Sequence, residues 1–190
     1  MRKDFYIFRH GQTDYNLAKR WQGKSVDTPL NQTGIEQAGS LAERLSGIGL
    51  EVVFSSPLQR AHHTAQIVAA KQGIEVKTMP ELIEASVGVC EGCHVEEVMS
   101  KYPDIWHSWY NDMKMSDRWP GGESKQEIQD RMTQAFAKLL EQPEKVIGVA
   151  SHGGSIRYFL YKFGYGPHKM PNVALFHLIY QDGDWQLEVM

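Results

Sequence analysis

The sequence contains no long hydrophobic run and no strong excess of charge of either sign. No segment approaches the ~20 apolar residues of a membrane span. Only four apolar residues stand between Asp4 and Arg9, too few for the core of a signal peptide. The net charge of −3 argues against a general nucleic-acid or anionic-membrane binder. We therefore expect a cytoplasmic protein that binds neither nucleic acids nor membranes.

Cysteine is scarce, with only Cys90 and Cys93 present. The segment from Cys90 to His94 fits the patterns of c-type haem attachment and of a dithiol redox pair. Haem attachment usually accompanies export, a tetrahedral zinc site needs four ligands, and no thioredoxin-like context surrounds the pair. We expect two reduced, non-catalytic thiols, and no cofactor.

Internal repeats, low-complexity tracts and linkers are also absent from the 190 residues. A composition that is 42% hydrophobic and 23% charged is typical of a globular protein. A chain of this length buries roughly 70% of the surface that it exposes when unfolded, so it needs no disulfide or metal site for stability. We predict a single domain over residues 1–190, with a helical, aromatic-rich insertion at about residues 94–119.

Apolar runs of strand length recur along the chain and end in polar or turn-forming residues. The runs at residues 5–8, 52–54 and 146–150 are predicted to be buried strands, and residues 74–76, 174–180 and 185–189 are predicted to be further strands. A turn at Asp182-Gly183 separates the last two. Helical stretches stand between the earlier runs. This alternation predicts a three-layer α/β fold in which helices flank a mostly parallel central sheet.

The helix starts are predicted from capping signals. Residues 33–36 and 124–127 form capping boxes, and the first of these opens a helix whose buried face includes Ile35. Ser56-Pro57 is typical of a third helix start. That helix carries Arg60 in its first turn, where a cation opposes the helix dipole. An anion bound at this end would remove the conflict.

Basic side chains follow two of the predicted strands. Arg9 and His10 come directly after the first run, and His152 comes after the run at 146–150. A single Arg-His pair would more often be a solvated strand end. Parallel strands, however, place these ends and Arg60 at one edge of the sheet. The planar guanidinium group of arginine can donate two hydrogen bonds to phosphate oxygens. A histidine can attack phosphorus and carry the phosphoryl group.

Five motifs, in order along almost the whole chain, resemble those of the histidine phosphatase superfamily, which includes the cofactor-dependent phosphoglycerate mutases. They are residues 9–13 with Asn16, residues 55–60 with Thr64-Ala65, Glu84 with Gly88 and Glu91-Gly92, residues 120–124, and residues 151–154. The resemblance implies a phosphoglycerate mutase-like fold. It also implies phosphoryl transfer without a metal.

The resemblance implies a role for each matching residue. His10 would be the nucleophile that becomes phosphohistidine. Arg9, Arg60 and His152 would hold the phosphoryl oxygens. Glu84 would protonate the leaving oxygen and then deprotonate the attacking water. The implied substrate-binding residues are Asn16, Gln22, Gly23 and Gly153. An unperturbed imidazole is largely neutral at pH 7, and we expect a backbone carbonyl to hold the second nitrogen of His10.

The resemblance favours hydrolysis over mutase activity, because the mutases of this family are longer and carry additional basic residues just after the acid and in the insertion. Residues 85–88 carry no positive charge, and the insertion offers only Lys101, Lys114 and Arg118. We predict a histidine acid-type phosphatase acting on a small phosphorylated metabolite. A phosphoglycerate mutase and a non-catalytic phosphate-binding module are the alternatives. A sugar phosphate, a nucleotide-like ester such as α-ribazole phosphate and a phosphoprotein all stay open as substrates, as does a homodimer.

The aromatic residues of the insertion have two interpretations. Trp106, Trp109, Tyr110 and Trp119 either form a lid that selects the leaving group or pack the insertion onto the domain. The remaining histidines are expected to have solvated or structural roles. They are His62, His63, His94, His107, His168 and His177.

Overall fold

The computed structural model describes residues 1–112, 114–166 and 170–190. Its central sheet has six strands: β1 (Arg2–Arg9), β2 (Val52–Ser55), β3 (Glu75–Thr78), β4 (Val146–Ser151), β5 (Leu175–Gln181) and β6 (Asp184–Val189). The strand order is β3-β2-β4-β1-β5-β6. The pairs from β3 to β1 are parallel, whereas β5 and β6 pair antiparallel. The predicted α/β fold with a mostly parallel sheet is confirmed.

Seven α-helices were assigned in the described part of the chain. They are α1 (Asp14–Leu17), α2 (Gln32–Leu45), α3 (Gln59–Gln72), α4 (Val95–Lys101), α5 (Pro103–His107), α6 (Lys125–Leu140) and α7 (Gly153–Leu160). Turns of 3-10 helix span Pro80–Leu82, Gly88–Cys90 and Tyr161–Phe163, and a turn of π-helix spans Ser108–Asp112. Among the described residues, no helix is both long and apolar enough to cross a membrane.

The sheet separates two hydrophobic clusters. Phe5 of β1 packs with α6 and α7 on one face, and Phe8 of the same strand packs with α2 and α3 on the other. Successive side chains of a strand point to opposite faces, so β1 contributes to both clusters. Helices cover both faces of the sheet. The central strands β1, β2 and β4 are therefore continuously apolar in sequence, because side chains on both of their faces are buried.

The register of the parallel strands brings three chain segments together at one sheet edge. Arg9 pairs with Ser151 across β1 and β4, and Ser55 pairs with Ala150 across β2 and β4. The residues that follow these strand ends are His10, Ser56 and His152. They therefore emerge side by side, as expected for the carboxyl ends of parallel strands.

Two of the predicted helix starts are wrong. The first helix begins at Gln32, and its cap is Asn31, whose side chain accepts a hydrogen bond of 2.9 Å from Gly34 N. Asn31 is held in place by its own N–H, which donates to Gln12 O. Ile35 then falls on the outer side of the helix, with 37% of its surface exposed. The helix predicted at Pro57 begins at Gln59.

The other capping box is confirmed. Ser124 Oγ accepts from Glu127 N at 3.1 Å, and the Glu127 carboxylate accepts from Ser124 N at 2.7 Å. No capping signal of this kind was used to predict α1. Its residues, Asp14–Leu17, belong to a polar stretch that is typical of a loop. There Thr13 and Asn16 form a capping box of their own.

The aromatic-rich segment from 94 to 119 contains α4, α5 and the turn Ser108–Asp112; Met113 lies outside the described residues. Trp119 is fully buried and Trp109 is 4% exposed. Both pack with Ile128 of α6 and Tyr158 of α7. The position of Trp119 corresponds to the packing alternative, since a fully buried ring cannot act as a lid.

Candidate active site

His10 lies directly beyond β1 and is 1% exposed. Its backbone N–H donates to Ser151 O at 3.1 Å, and its ring Nδ1 lies 2.7 Å from Gly11 O. A carbonyl oxygen can only accept, so Nδ1 carries the proton and Nε2 of the neutral ring presents its lone pair. This confirms the expected backbone partner. Burial, aided by the charges of Arg9 and Arg60, holds the pKa of His10 well below its ordinary value.

The loop after His10 is held by a close backbone contact. A Cβ on Gly11 would lie 2.4 Å from Gly34 O, and one on Gly34 would lie 2.1 Å from Gln12 O. Only residues without side chains allow this approach of the loop to α2. Gly11 N also donates to Thr64 Oγ1 at 3.1 Å. The hydroxyl of Thr64 in turn donates to Arg60 O at 2.7 Å, which ties the His10 loop to α3.

Arg60 is the second residue of α3 and is fully buried. Its Nη1 donates to Val26 O at 3.0 Å and its Nη2 donates to Gly23 O at 2.9 Å. Its Nε is buried without a hydrogen-bond partner among the described residues. Arg60 therefore fixes the loop at Gly23 and keeps an unused donor, as a group awaiting an anion would.

His152 is the residue before α7 and is also fully buried. Its Nε2 lies 2.7 Å from Ser56 Oγ, whereas Nδ1 is buried without a partner in the described part of the chain. Its ring centroid is 5.2 Å from that of His10, and the two ring planes are inclined at 60°. Burial and the neighbouring charge of Arg60 lower the pKa of His152 well below its ordinary value.

Arg9 lies close to the start of α7. Its Nη1 donates to Met170 O, and a Cβ on Gly153 would lie 3.4 Å from its Nε. Burial lowers the pKa of Arg9 to about 10, so the guanidinium stays charged at neutral pH.

Glu84 places its carboxylate at the amino end of α7. Its Oε1 accepts from Ala85 N at 2.9 Å and from Ser155 N at 3.1 Å. A Cβ on Gly154 would lie 2.9 Å from the same oxygen, so the missing side chain gives the carboxylate its room. The helix dipole favours a negative charge at this place.

A single pocket is lined by seven of the nine residues predicted from the sequence. They are Arg9, His10, Asn16, Gln22, Gly23, Glu84 and Gly153. Arg60 and His152 are fully buried beside it: Arg60 is hydrogen-bonded to Gly23 O, and His152 faces the ring of His10. The structure thus brings all nine residues to one place.

The sequence reasoning missed several residues of this pocket. They are Arg20, Trp21, Arg157 and Tyr158. Trp109 and Tyr110 of the insertion, which the lid hypothesis names, also line the pocket. Arg157 follows Gly153 by four residues on α7, and residues at this spacing share one helix face. That spacing could have identified Arg157. Because Trp109 and Tyr110 line the pocket, the lid hypothesis stays a prediction for the insertion residues other than Trp119.

The two cysteines and the other histidines that the structure describes do not line this pocket. Cys90 and Cys93 are free thiols, and burial raises the pKa of Cys90 to about 11. His177 lies 2.8 Å from Asp4 Oδ1 and stacks on Tyr6, so its surroundings are structural. His168 is outside the described residues.

Several proteins are similar to this chain in sequence over most of its length. An uncharacterized phosphatase, PhoE of Bacillus subtilis (strain 168), is 29% identical over 188 residues, which cover 96% of this chain and 91% of PhoE. A probable phosphoglycerate mutase, GpmB of Serratia proteamaculans (strain 568), is 39% identical over 150 residues, which cover 78% of this chain and 68% of GpmB.

Solved structures give the same result. A mycobacterial glucosyl-3-phosphoglycerate phosphatase complexed with VO3 superposes with a TM-score of 0.90 at 28% identity, covering 98% of each chain. A putative α-ribazole-5'-P phosphatase from Escherichia coli (str. K-12 substr. MG1655) superposes with a TM-score of 0.83 at 28% identity, covering 99% of this chain and 95% of the other. The family model of the histidine phosphatase superfamily (branch 1) matches residues 5–190. The chain therefore belongs to the histidine phosphatase superfamily.

Proposed function

We propose that this chain is a histidine acid-type phosphatase that hydrolyses phosphomonoesters through a phosphohistidine on His10, without a metal. The observation that carries the proposal is the 2.7 Å contact between His10 Nδ1 and Gly11 O. It fixes the tautomer in which Nε2 is the nucleophilic nitrogen, and it does so in a pocket that contains Arg9 and Glu84.

In the first step, Nε2 of His10 attacks phosphorus and the bond from phosphorus to the ester oxygen breaks. Glu84, as the carboxylic acid, donates its proton to the departing oxygen, so that an alcohol leaves. Arg9, Arg60 and His152 stabilise the charge that develops on the three non-bridging oxygens. The unused Nε of Arg60 and Nδ1 of His152 are the donors available for this task once His152 carries its proton on Nδ1.

In the second step, water attacks the phosphohistidine and the Glu84 carboxylate takes its proton. The bond between Nε2 and phosphorus breaks, inorganic phosphate leaves, and His10 returns as a neutral imidazole. Because the pKa of His10 is lowered, the free enzyme keeps its nucleophile unprotonated below pH 6.5. We therefore expect no loss of activity at pH 6.5 from protonation of this residue.

The proposed phosphate-binding residues have their acceptor atoms occupied by the protein. Asn16 Oδ1 accepts from Thr13 N at 3.1 Å and from Asn172 Nδ2 at 3.2 Å. Gln22 Oε1 accepts from the Thr28 hydroxyl. Because the oxygen of each amide is already bonded, its NH2 group is left to donate hydrogen bonds to an anion. This supports an anionic ligand, such as the phosphoryl group of a small phosphorylated metabolite.

A phosphoglycerate mutase is the second candidate, favoured by the 39% identity to a probable phosphoglycerate mutase. Incubation with 3-phosphoglycerate separates the two activities, because a mutase forms 2-phosphoglycerate and a phosphatase releases inorganic phosphate. We expect inorganic phosphate to be the main product. A predominance of 2-phosphoglycerate would assign the chain to the mutases.

Hydrolysis of 4-nitrophenyl phosphate by the wild type, His10→Ala and His63→Ala tests the proposal. His63 is an exposed residue of α3, so His63→Ala serves as the matched control and retains wild-type activity. We expect His10→Ala to lose at least about a thousandfold in kcat, since the nucleophile is removed. If His10→Ala hydrolysed 4-nitrophenyl phosphate at a rate within tenfold of the wild type, the proposed mechanism would be contradicted. Phosphate binding without turnover by the wild type would favour the binding-module alternative.

A further inference from the structure

Arg157 is a pocket residue for which the proposed chemistry has no use. It lies on α7, one turn beyond Gly153, and lines the same pocket as His10. Its guanidinium carbon lies 5.4 Å from the ring centroid of Tyr110. This contact between an α7 cation and an aromatic ring of the insertion holds the guanidinium at the wall of the pocket.

The charge of Arg157 is not balanced by the protein. Within the described ranges, no carboxylate lies at ion-pair distance from it, and its buried Nε has no hydrogen-bond partner. Two arginines outside the pocket are paired: Arg131 Nε lies 3.0 Å from Glu123 Oε1, and Arg2 Nη2 lies 2.8 Å from Asp4 Oδ1. A partly buried cation without a counterion indicates that a ligand supplies one.

The neighbouring tyrosines cannot supply the missing charge. Burial raises the pKa values of Tyr110 and Tyr158 above the ordinary value for tyrosine, so both hydroxyls stay neutral. Glu84 is the acidic residue that lines the pocket, and its carboxylate is already bound by backbone N–H groups at the start of α7. The lining also includes Arg9 and Arg20, so the pocket carries more positive charge than one phosphoryl group requires for pairing with Arg9 and Arg60.

We propose that Arg157 binds a second anionic group, a carboxylate or a phosphate, carried by the leaving group of the substrate. The preferred substrates are then phosphomonoesters of hydroxy acids or bisphosphates rather than of neutral alcohols. This assignment rests on the proposed hydrolysis at His10. Arginine suits this task because its planar guanidinium group pairs with two oxygens of either anion, and the ring of Tyr110 covers one side of it.

The test compares substrates that differ in charge alone. 4-Carboxyphenyl phosphate and 4-carbamoylphenyl phosphate have the same shape, and 3-phosphoglycerate with glycerol 3-phosphate forms an aliphatic pair. Hydroquinone bisphosphate, compared with hydroquinone monophosphate, tests a phosphate as the second anion. For whichever anion is bound, we expect the wild type to favour the charged member of the pair by about tenfold or more in kcat/KM, the ratio that one charge-assisted hydrogen bond provides.

Arg157→Gln is expected to reduce this ratio by about tenfold, and Arg157→Lys by less, because the lysine keeps the charge but loses the fork. Arg44→Gln, at the exposed end of α2, is the control and leaves the ratio unchanged. If Arg157→Gln does not fold, the wild-type ratio and Arg157→Lys decide. A wild type without preference for either anion, or an Arg157→Gln variant with an unchanged ratio, would overturn the inference. It would leave the proposed function intact if 4-nitrophenyl phosphate is still hydrolysed; no hydrolysis of any substrate would overturn both.

Discussion

At the scale of single residues, His10 and His152 are both buried next to arginine guanidinium groups. Both pKa values lie well below the ordinary value for histidine. In the unfolded chain each imidazole takes up a proton below about pH 6.5. The unfolded state therefore binds more protons than the folded state between that pH and the lowered pKa values, and stability rises with pH in this window.

We predict that stability falls as the pH is lowered from 7 to 5, with a contribution from these two histidines. Each adds up to about 1.4 kcal/mol per pH unit to the slope of the free energy of unfolding. His152→Gln removes one of the two contributions and keeps a polar group for Ser56. The slope, measured by urea unfolding at several pH values, should be shallower in this variant.

His63→Gln provides the control for this slope, because the His63 side chain is exposed in the folded chain as it is in the unfolded one. The pH dependence of this variant should match that of the wild type. An equal slope for the wild type and His152→Gln would contradict the account of the buried histidines.

The residues proposed to be catalytic could be predicted from the sequence, whereas the contact between Arg157 and Tyr110 could not. His10 and His152 stand next to apolar runs whose strand character is local, and the parallel pairing of Arg9 with Ser151 then brings them together. The spacing from Gly153 places Arg157 on the pocket side of α7. Its contact with Tyr110 of the insertion joins segments far apart in the chain, and no local pattern encodes that contact.

At the scale of elements, α2 supports the loop that follows His10. The loop rests on the first turn of this helix, where Gly11 and Gly34 allow two backbone segments to touch. The misplaced helix start has the same origin. Asn31 and the capping box at 33–36 compete locally, and the hydrogen bond from Asn31 N to Gln12 O favours Asn31. Tertiary contacts of this kind are invisible to capping rules.

We predict opposite effects for two alanine substitutions in α2. Gly34→Ala would place a Cβ 2.1 Å from Gln12 O, so it should lower stability by about 1–3 kcal/mol. It should also reduce kcat by displacing the loop next to His10. Gly39→Ala meets no atom within 4 Å and should raise stability by about 0.5–1 kcal/mol through helix propensity.

Chemical unfolding and the hydrolysis rate of 4-nitrophenyl phosphate check both variants together. Activity that survives in Gly34→Ala at the wild-type level would show that the close contact does not position His10. A loss of stability in Gly39→Ala would contradict the helix geometry at that residue.

At the scale of the whole molecule, the three-layer arrangement could be predicted because strands and helices alternate along the chain. The strand order needed the structure, since the placement of β5 antiparallel to β1 depends on long-range pairing. The aromatic segment was predicted as mostly helical, and its packing against Ile128 and Tyr158 makes it a wall of the pocket. A single domain with an insertion, and a homodimer, stay predictions.

The central claim is that His10 carries the phosphoryl group during turnover. Rapid acid-free quenching with radiolabelled substrate, followed by mass spectrometry of peptides, tests it most directly. We predict a phosphoryl group on Nε2 of His10 that survives alkali and is lost in acid, and that is absent from His10→Ala but present in His63→Ala. Turnover of the wild type without label on His10, or label on another residue, would contradict the account.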